Sequence, residues 1–351
     1  MVEVGIYGAS GYMGGEALRV LLEHPEVEVA WATSRTGLPA EHFHRNLYGS
    51  GVQFVTPEEA TPCEAAFIAL PSGHAMSMAR ELLGSGTRII DLGADFRLKS
   101  RTDWERVYGR SHACWDLAAQ AVYGIPELHR EEIRRARIVA NPGCYASAAI
   151  LGLAPLVTEG LVDTDRIVVD GLSGTAGAGA ELDVTSHHPE IGSNLVPYNV
   201  VDHRHTYEME QELGLLTGPA VTVHFTSSYV PITRGILAVA HCFPTGPVER
   251  EELLELYRDF YGGEHFVKVF DMPEEPDVSW QYRPYPWVAA VSGTNFCHVG
   301  LDVDERRGRI VVFSVLDSLG KGGAHAGVQN LNLLFGLEES TGLERRGLHP
   351  Y

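Results

Sequence analysis

The chain has 351 residues, 44% of them hydrophobic, and a formal net charge of −19. That length is long for one domain and comfortable for two, and no apolar run is long enough to span a bilayer. The acidic balance argues against binding nucleic acid or an anionic membrane, because the overall field repels phosphate. A few arginines inside a closed site can still outweigh a distant surface charge and hold a small anion.

Val2 to Tyr7 alternates apolar residues and reads as the first strand. It opens without a basic leader or a cleavable apolar core, so a soluble cytoplasmic protein is expected. Gly8-Ala9-Ser10-Gly11-Tyr12-Met13-Gly14-Gly15 follows at once. Glu16 to Glu23 then carries Ala17, Leu18, Leu21 and Leu22 at helical spacing, and His24-Pro25 ends the pattern. A second strand, from about Val27 to Thr33, completes a strand–glycine turn–helix–strand unit. Its physics suits a dinucleotide, since glycines let the backbone approach a pyrophosphate and the N–H groups at a helix start favour an anion. The spacing is G-x-x-G-x-x-G, a looser form of the usual fingerprint. Gly8, Ser10, Gly11, Tyr12, Met13 and Gly14 are the expected cofactor contacts. Where an NAD enzyme usually places a carboxylate, the second strand ends in Thr33-Ser34-Arg35. The Ser34 hydroxyl and the Arg35 guanidinium suit a 2′-phosphate, so NADP(H) is expected rather than NAD. The bland alternative is a glycine turn without ligand and a solvated Arg35.

Further strands are expected at Ala65 to Leu70, Arg88 to Leu92 and Arg137 to Asn141. Each ends in a turn: Pro71-Ser72-Gly73, Gly93-Ala94-Asp95 and Pro142-Gly143. Ligands gather at the carboxyl ends of strands in an open parallel sheet, which directs attention to Leu70, Pro71 and Asn141.

Cys144 lies between that last strand and a long apolar helix, roughly Ala146 to Val157. A helix N-terminus favours thiolate over thiol and can steady an oxyanion, so Cys144 is the candidate nucleophile. A buried packing cysteine is the plain alternative. With Cys63, Cys114, Cys242 and Cys297, Cys144 makes five cysteines, an odd and scattered set with no C-x-x-C pair, which argues against disulfides and against a cysteine zinc site.

Beyond the helix the expected strands are Ile167 to Asp170, Val221 to Phe225, Ile236 to Phe243 and Ile310 to Val315. His187-His188 lacks a second ligand motif, and no metal is expected. Asp202-His203-Arg204-His205-Thr206-Tyr207-Glu208 gathers two imidazoles, a guanidinium and a carboxylate at the start of a polar helix, which suits proton transfer and anion binding. Asp271 to Trp287 reads as a long surface loop, and the segment from about Gly320 as a helix returning to the first domain. The expected architecture is α/β: a doubly wound Rossmann-type domain over residues 1–148, an α+β catalytic and oligomerisation domain over 149–319, and a return to the first over 320–351.

Asn141-Pro142-Gly143-Cys144-Tyr145, together with His203-Arg204-His205-Thr206, resembles the N-acetyl-γ-glutamyl-phosphate reductases of arginine biosynthesis. The resemblance covers essentially the whole length. It includes Gly8 to Gly15, Thr33-Ser34-Arg35, Asp91 to Leu98, Tyr123 to Leu128, Thr233 to Leu237 and Ser292 to Cys297. Glu41 to Gly49, Thr185 to Glu190 and the Leu348-His349-Pro350 ending resemble a branch acting on acyl phosphates attached to an amino-group carrier protein, in lysine and related pathways. Ser72 departs from the family's usual His, Asp202 from its usual Gly, and Asp271 to Trp287 lacks basic residues for docking an acidic carrier.

What the resemblance implies is a semialdehyde dehydrogenase-like fold, a homotetramer, and NADPH-dependent reduction of an acyl phosphate through a thioester on Cys144. It makes His205 or His203 the acid/base, with Glu208 as orienter. It gives Arg97 to the phosphate and Arg234 to the substrate carboxylate, with Arg204 and Asn141 also on the substrate side. Ser173, Gly174 and Asn295 fall beside the nicotinamide. The substrate is either N-acetyl-γ-glutamyl phosphate or its carrier-linked homologue. An aspartyl phosphate reductase would not need the His-Arg-His segment, and a non-catalytic NADP-binding sensor would need neither that segment nor Cys144.

Overall fold

The computed structural model describes residues 1–218, 220–271 and 285–348. Most of the expected loop at Asp271 to Trp287, and His349-Pro350 of the C-terminal motif, lie outside the described residues. The chain divides into two units, the first comprising Met1–Gly143, Gly179–Glu181 and Gly323–Glu344. The expected boundary near residue 148 falls inside a helix.

In the first unit β1 (Val2–Tyr7) leads through α1 (Tyr12–Leu21) to β2 (Val27–Ala32), then β3 (Ala65–Ile68), α2 (Ala75–Gly84) and β4 (Arg88–Asp91). The short α3 (Arg101–Tyr108) and α4 (Trp115–Ala118) precede β5 (Val122–Tyr123), α5 (Pro126–Arg135) and β6 (Ile138–Ala140). The strands form one sheet in the order β2-β1-β3-β4-β6-β5, and every pairing is parallel. β3 and β6 are buried at every residue, which is why they read as continuous apolar runs rather than alternating ones. The last helix of the chain, His325–Leu334, also belongs to this unit and is buried throughout. Its α-helical part is preceded by a wider π-helical turn over Gly320–Ala324, distorted at Gly323, so helical structure starts near the expected Gly320.

The second unit comprises Cys144–Ala178, Leu182–Gly322 and Arg345–Tyr351. It opens with α6 (Cys144–Thr158), whose residues Tyr145 to Val157 are all buried. β7 (Ile167–Ser173), α7 (His188–Ile191), β8 (Val196–Tyr198), α8 (Arg204–Thr217), β9 (Val223–Tyr229), β10 (Ile236–Cys242), α9 (Arg250–Phe260), β11 (Val267–Val269), β12 (Cys297–Asp304) and β13 (Arg309–Leu316) follow. The seven strands make one mixed sheet in the order β11-β12-β13-β10-β7-β9-β8. β10 runs antiparallel to both β13 and β7, while β7 and β9 are parallel. Alternate residues of β10 are buried, and α6 lies against that face, so close that a Cβ on Gly152 would come within 3.2 Å of Ser314. Among the described residues no helix is long and apolar enough to cross a membrane.

Candidate active site

The turn after β1 shows why its glycines are needed. Gly8 adopts a φ of 77°, and a Cβ there would lie 2.4 Å from the Ala69 carbonyl oxygen. A Cβ on Gly14 would meet the Gly8 carbonyl oxygen at 2.4 Å, so only glycine lets α1 start this close under the strand end. α1 therefore begins at Tyr12, four residues before the apolar periodicity becomes visible, with Gly11 as its N-cap. The turn's own bonds run from Ala9 N–H to Thr33 O, Gly11 N–H to Gly8 O and Gly15 N–H to Gly11 O. The N–H groups at the start of the helix take no part in them and are of the kind that binds anions. Ser34 is buried and its hydroxyl accepts from Gly37 N–H at 3.0 Å, while Arg35 is exposed. These residues fit a phosphorylated dinucleotide.

The Asp91 to Arg97 stretch ties together the loops that follow three strands. The Asp95 carboxylate accepts from Gly73 N–H at 2.7 Å and from Met76 N–H at 3.0 Å, fixing the Pro71-Ser72-Gly73 turn to the start of α2. Leu70 is half-buried and Pro71 exposed at that edge. Arg97 is buried and donates through Nε to the Asn141 carbonyl at 2.8 Å and through Nη2 to the Leu92 carbonyl at 3.3 Å. The Asn141 side chain donates to Gly323 O at 3.0 Å and accepts from Asn330 at 3.2 Å. Both residues, read from the sequence as substrate ligands, are thus engaged with the backbone at the carboxyl edge of the sheet. Burial pushes the Asp91 carboxyl up to about 7, the neighbouring Asp95 charge adds to this, and Arg97 opposes it.

In the second unit Cys144 stands at the first position of α6, with no acidic side chain in that turn. It is the one cysteine of five that is not buried. Burial pushes the thiols of Cys63 and Cys114 up to about 11 and that of Cys242 to about 12, which removes them as nucleophiles near neutrality. Gly322 packs so closely that a Cβ there would lie 2.8 Å from the Cys144 Cβ. The next residue, Tyr145, meets Tyr198 hydroxyl to hydroxyl at 3.1 Å, and Tyr198 stacks on Tyr229 with ring centroids 4.0 Å apart.

Against Tyr145 lie both expected histidines, with ring centroids 5.8 Å away for His203 and 5.9 Å for His205. Their roles differ. His203 is the N-cap of α8, its Nδ1 accepting from the His205 N–H at 3.1 Å. Burial, reinforced by the Arg204 guanidinium, pushes its imidazolium down to about 4. His205 places Nε2 3.9 Å from a Glu208 carboxylate oxygen, and both side chains are buried. Arg204 points outward on the exposed side of α8. Asp202 adopts a φ of 60°, the left-handed conformation glycine favours, and its carboxylate accepts from the Tyr207 hydroxyl.

In the same unit, where β10 begins and β13 ends, Arg234 binds the buried Asp317 carboxylate, Nε at 2.9 Å and Nη2 at 2.9 Å. Asp317 has no signal in the sequence, because it lies 83 residues from its partner. Ser173 and Asn295 are buried, and a Cβ on Gly174 would come 2.6 Å from the Thr233 carbonyl oxygen. Sequence reasoning also misses His44, whose Nε2 lies 2.7 Å from the Ala9 carbonyl in the glycine turn. Asp95, by contrast, lies inside the Asp91 to Leu98 motif, so the sequence itself points to it.

Residues 3–136 match the model of the semialdehyde dehydrogenase NAD binding domain, and residues 144–318 that of the semialdehyde dehydrogenase dimerisation domain. The chain is 47% identical, over 100% of both sequences, to an N-acetyl-gamma-glutamyl-phosphate reductase of Methanopyrus kandleri. It is 44% identical to the protein of the same name from Pelotomaculum thermopropionicum, over 99% of each. Among solved structures, aspartate semialdehyde dehydrogenase II of Vibrio cholerae aligns with a TM-score of 0.71 at 21% identity, covering 96% of this chain and 98% of that one.

Proposed function

The chain belongs to the N-acetyl-gamma-glutamyl-phosphate reductase family, and from that membership we propose that it reduces N-acetyl-γ-glutamyl phosphate to the semialdehyde, releasing phosphate, through a thioester on Cys144. The observation that carries the reading is the setting of Cys144: a half-buried thiol at the N-terminus of α6, in the unit that also holds His203, His205 and Glu208.

The Cys144 sulfur attacks the acyl carbon, the C–S bond forms, and the C–O bond to phosphate breaks with its electron pair leaving on phosphate. N–H groups at the helix start steady the oxyanion. A thioester accepts hydride where a carboxylate does not, which is why the chemistry needs a sulfur nucleophile. NADPH, when bound, supplies that hydride. His205, oriented by Glu208, is the acid/base: it takes the thiol proton at the outset and lends it to the substrate oxygen after reduction. It takes the proton back as that oxygen becomes the aldehyde carbonyl and the C–S bond breaks with its electron pair on sulfur, to which the proton returns. His203, capped into α8 and held neutral, positions its neighbour. Gly8 to Gly14 hold the cofactor pyrophosphate, and Ser34 with Arg35 its 2′-phosphate. Leu70 and Pro71 border the cofactor, and Ser173, Gly174 and Asn295 its nicotinamide end. Arg97 and Asn141 set the phosphate side by fixing the loops around it. Arg234, steadied by Asp317, and Arg204 face the substrate carboxylate. The protein works as a cytoplasmic homotetramer.

The test is the reverse reaction: phosphate-dependent reduction of NADP with N-acetylglutamate semialdehyde, then with carrier-linked semialdehydes. Activity on the free semialdehyde is expected. Cys144→Ala abolishes it, and His205→Asn slows it about 100-fold or more. Turnover of only carrier-linked substrates moves the protein to the carrier branch, and turnover of none of them rejects the reductase reading.

A further inference from the structure

The glycine turn is held from outside by a residue the chemistry does not otherwise use. His44 is half-buried in the segment between β2 and β3, and its Nε2 lies 2.7 Å from the Ala9 carbonyl oxygen. A carbonyl cannot donate, so Nε2 carries a proton and donates whether the ring is neutral or charged. The same ring fills the space beside α1: a Cβ on Gly15 would lie 2.3 Å from its Cε1 and 2.4 Å from its Nε2. Gly15 is therefore glycine for a reason separate from Gly8 and Gly14, whose constraints come from backbone.

We propose that His44 is a positioning residue for the cofactor pyrophosphate, orienting the Ala9–Ser10 peptide by holding its carbonyl. In a trans peptide the C=O and the N–H point in opposite directions. Fixing the Ala9 oxygen on His44 aims the Ser10 N–H away from His44. Ser10 N–H enters none of the backbone bonds that close the turn. Losing the His44 bond frees the peptide to rotate and present its carbonyl, a negative dipole end, to the anion instead. The effect is confined to ligands that carry a phosphate on this turn. This rests on the reading of Gly8 to Gly14 as a cofactor site.

The experiment compares NADPH with 2′-AMP, which keeps the adenosine and the 2′-phosphate but has no pyrophosphate, by titration calorimetry on the full chain. His44→Ala is expected to weaken NADPH about tenfold in Kd and to raise its KM likewise, with kcat at saturation within twofold and 2′-AMP binding unchanged. His44→Gln, which retains a donor, recovers part of the loss. Gly15→Ala displaces the ring and shows the same pattern, although alanine is the better helix former, so lost affinity there cannot be put down to a weaker helix. If His44→Ala folds poorly, His44→Leu against His44→Gln gives the same contrast. Equal weakening of both ligands, or no weakening of NADPH in folded variants, overturns the assignment. A wild-type protein that binds 2′-AMP and NADPH equally or not at all overturns the cofactor reading instead.

Discussion

A single hydrogen bond separates the two histidines at the start of α8. His203 spends Nδ1 on the His205 N–H, and protonating that nitrogen would remove the cap and place a charge in a 4%-exposed site beside Arg204. Its folded value of about 4 lies below the ordinary 6.5, so below pH 6.5 the unfolded chain binds a proton that the folded one refuses. The resulting stability is complete above pH 6.5 and is lost as pH falls through 4. The full loss is about 3 kcal/mol. Asparagine caps a helix without titrating, so His203→Asn should keep α8 and lose this dependence. Urea unfolding of both proteins between pH 7 and 4 measures it. The wild type should lose stability relative to the variant as pH falls, and parallel curves would refute the argument. Asp202 belongs to the same scale: its φ of 60° explains why glycine is usual there and why an aspartate, which tolerates the left-handed region, can replace it.

α6 carries Pro155 inside a fully buried stretch, where a missing N–H leaves a carbonyl of the preceding turn without its helical partner. That carbonyl is Leu151 O, and the Tyr261 hydroxyl donates to it at 2.5 Å; one residue on, the Tyr257 hydroxyl donates to Gly152 O at 2.6 Å. The end of α9 thus supplies what the proline withholds. Tyr261→Phe should cost about 1–3 kcal/mol, the penalty of stranding a buried acceptor. The same change in a Pro155→Ala background should cost less, because residue 155 regains its N–H. A double-mutant cycle by denaturant unfolding reads the coupling, and additive costs would show that the proline and the tyrosine are unrelated. This compensation is illegible in the sequence, which shows only an apolar run with a proline in it. The elements that are legible share a local cause: glycines at a strand end, an unbroken apolar helix, a cysteine after Pro-Gly. β12 escapes notice because Gly300 interrupts its alternation. That glycine is demanded by Pro286, which a Cβ would approach within 2.8 Å. β5 and β8 span two and three residues, too short for any period to show. Ser173, Gly174 and Asn295 come from the resemblance, since no local pattern marks them.

At the scale of the molecule, the two faces of the second sheet are unequal. One packs on α6. The other presents Leu237, Val239 and His241 of β10, opposite Val315, Phe313 and Val311 of β13 and Leu172, Asp170 and Val168 of β7. Apart from the buried Val315 and the exposed Asp170, these residues are half-exposed. A mostly apolar sheet face left to water is a standing cost that association removes, and residues 144–318 match a dimerisation domain. We therefore expect a second copy to cover this face. With a net charge of −19 on each chain, long-range electrostatics oppose that pairing, so the adhesion must come from apolar burial at the centre. Val239 occupies that centre, between Phe313 and Asp170 in register. Val239→Glu puts a carboxylate beside Asp170 and, in a symmetric pair, near its own copy, where desolvated like charges cost several kcal/mol. Sedimentation velocity should show the wild type as an oligomer and the variant shifted to a smaller species. Its Tm should change little, because the substituted side chain lies outside the core of its own chain. A variant that sediments like the wild type would place the contact between copies elsewhere.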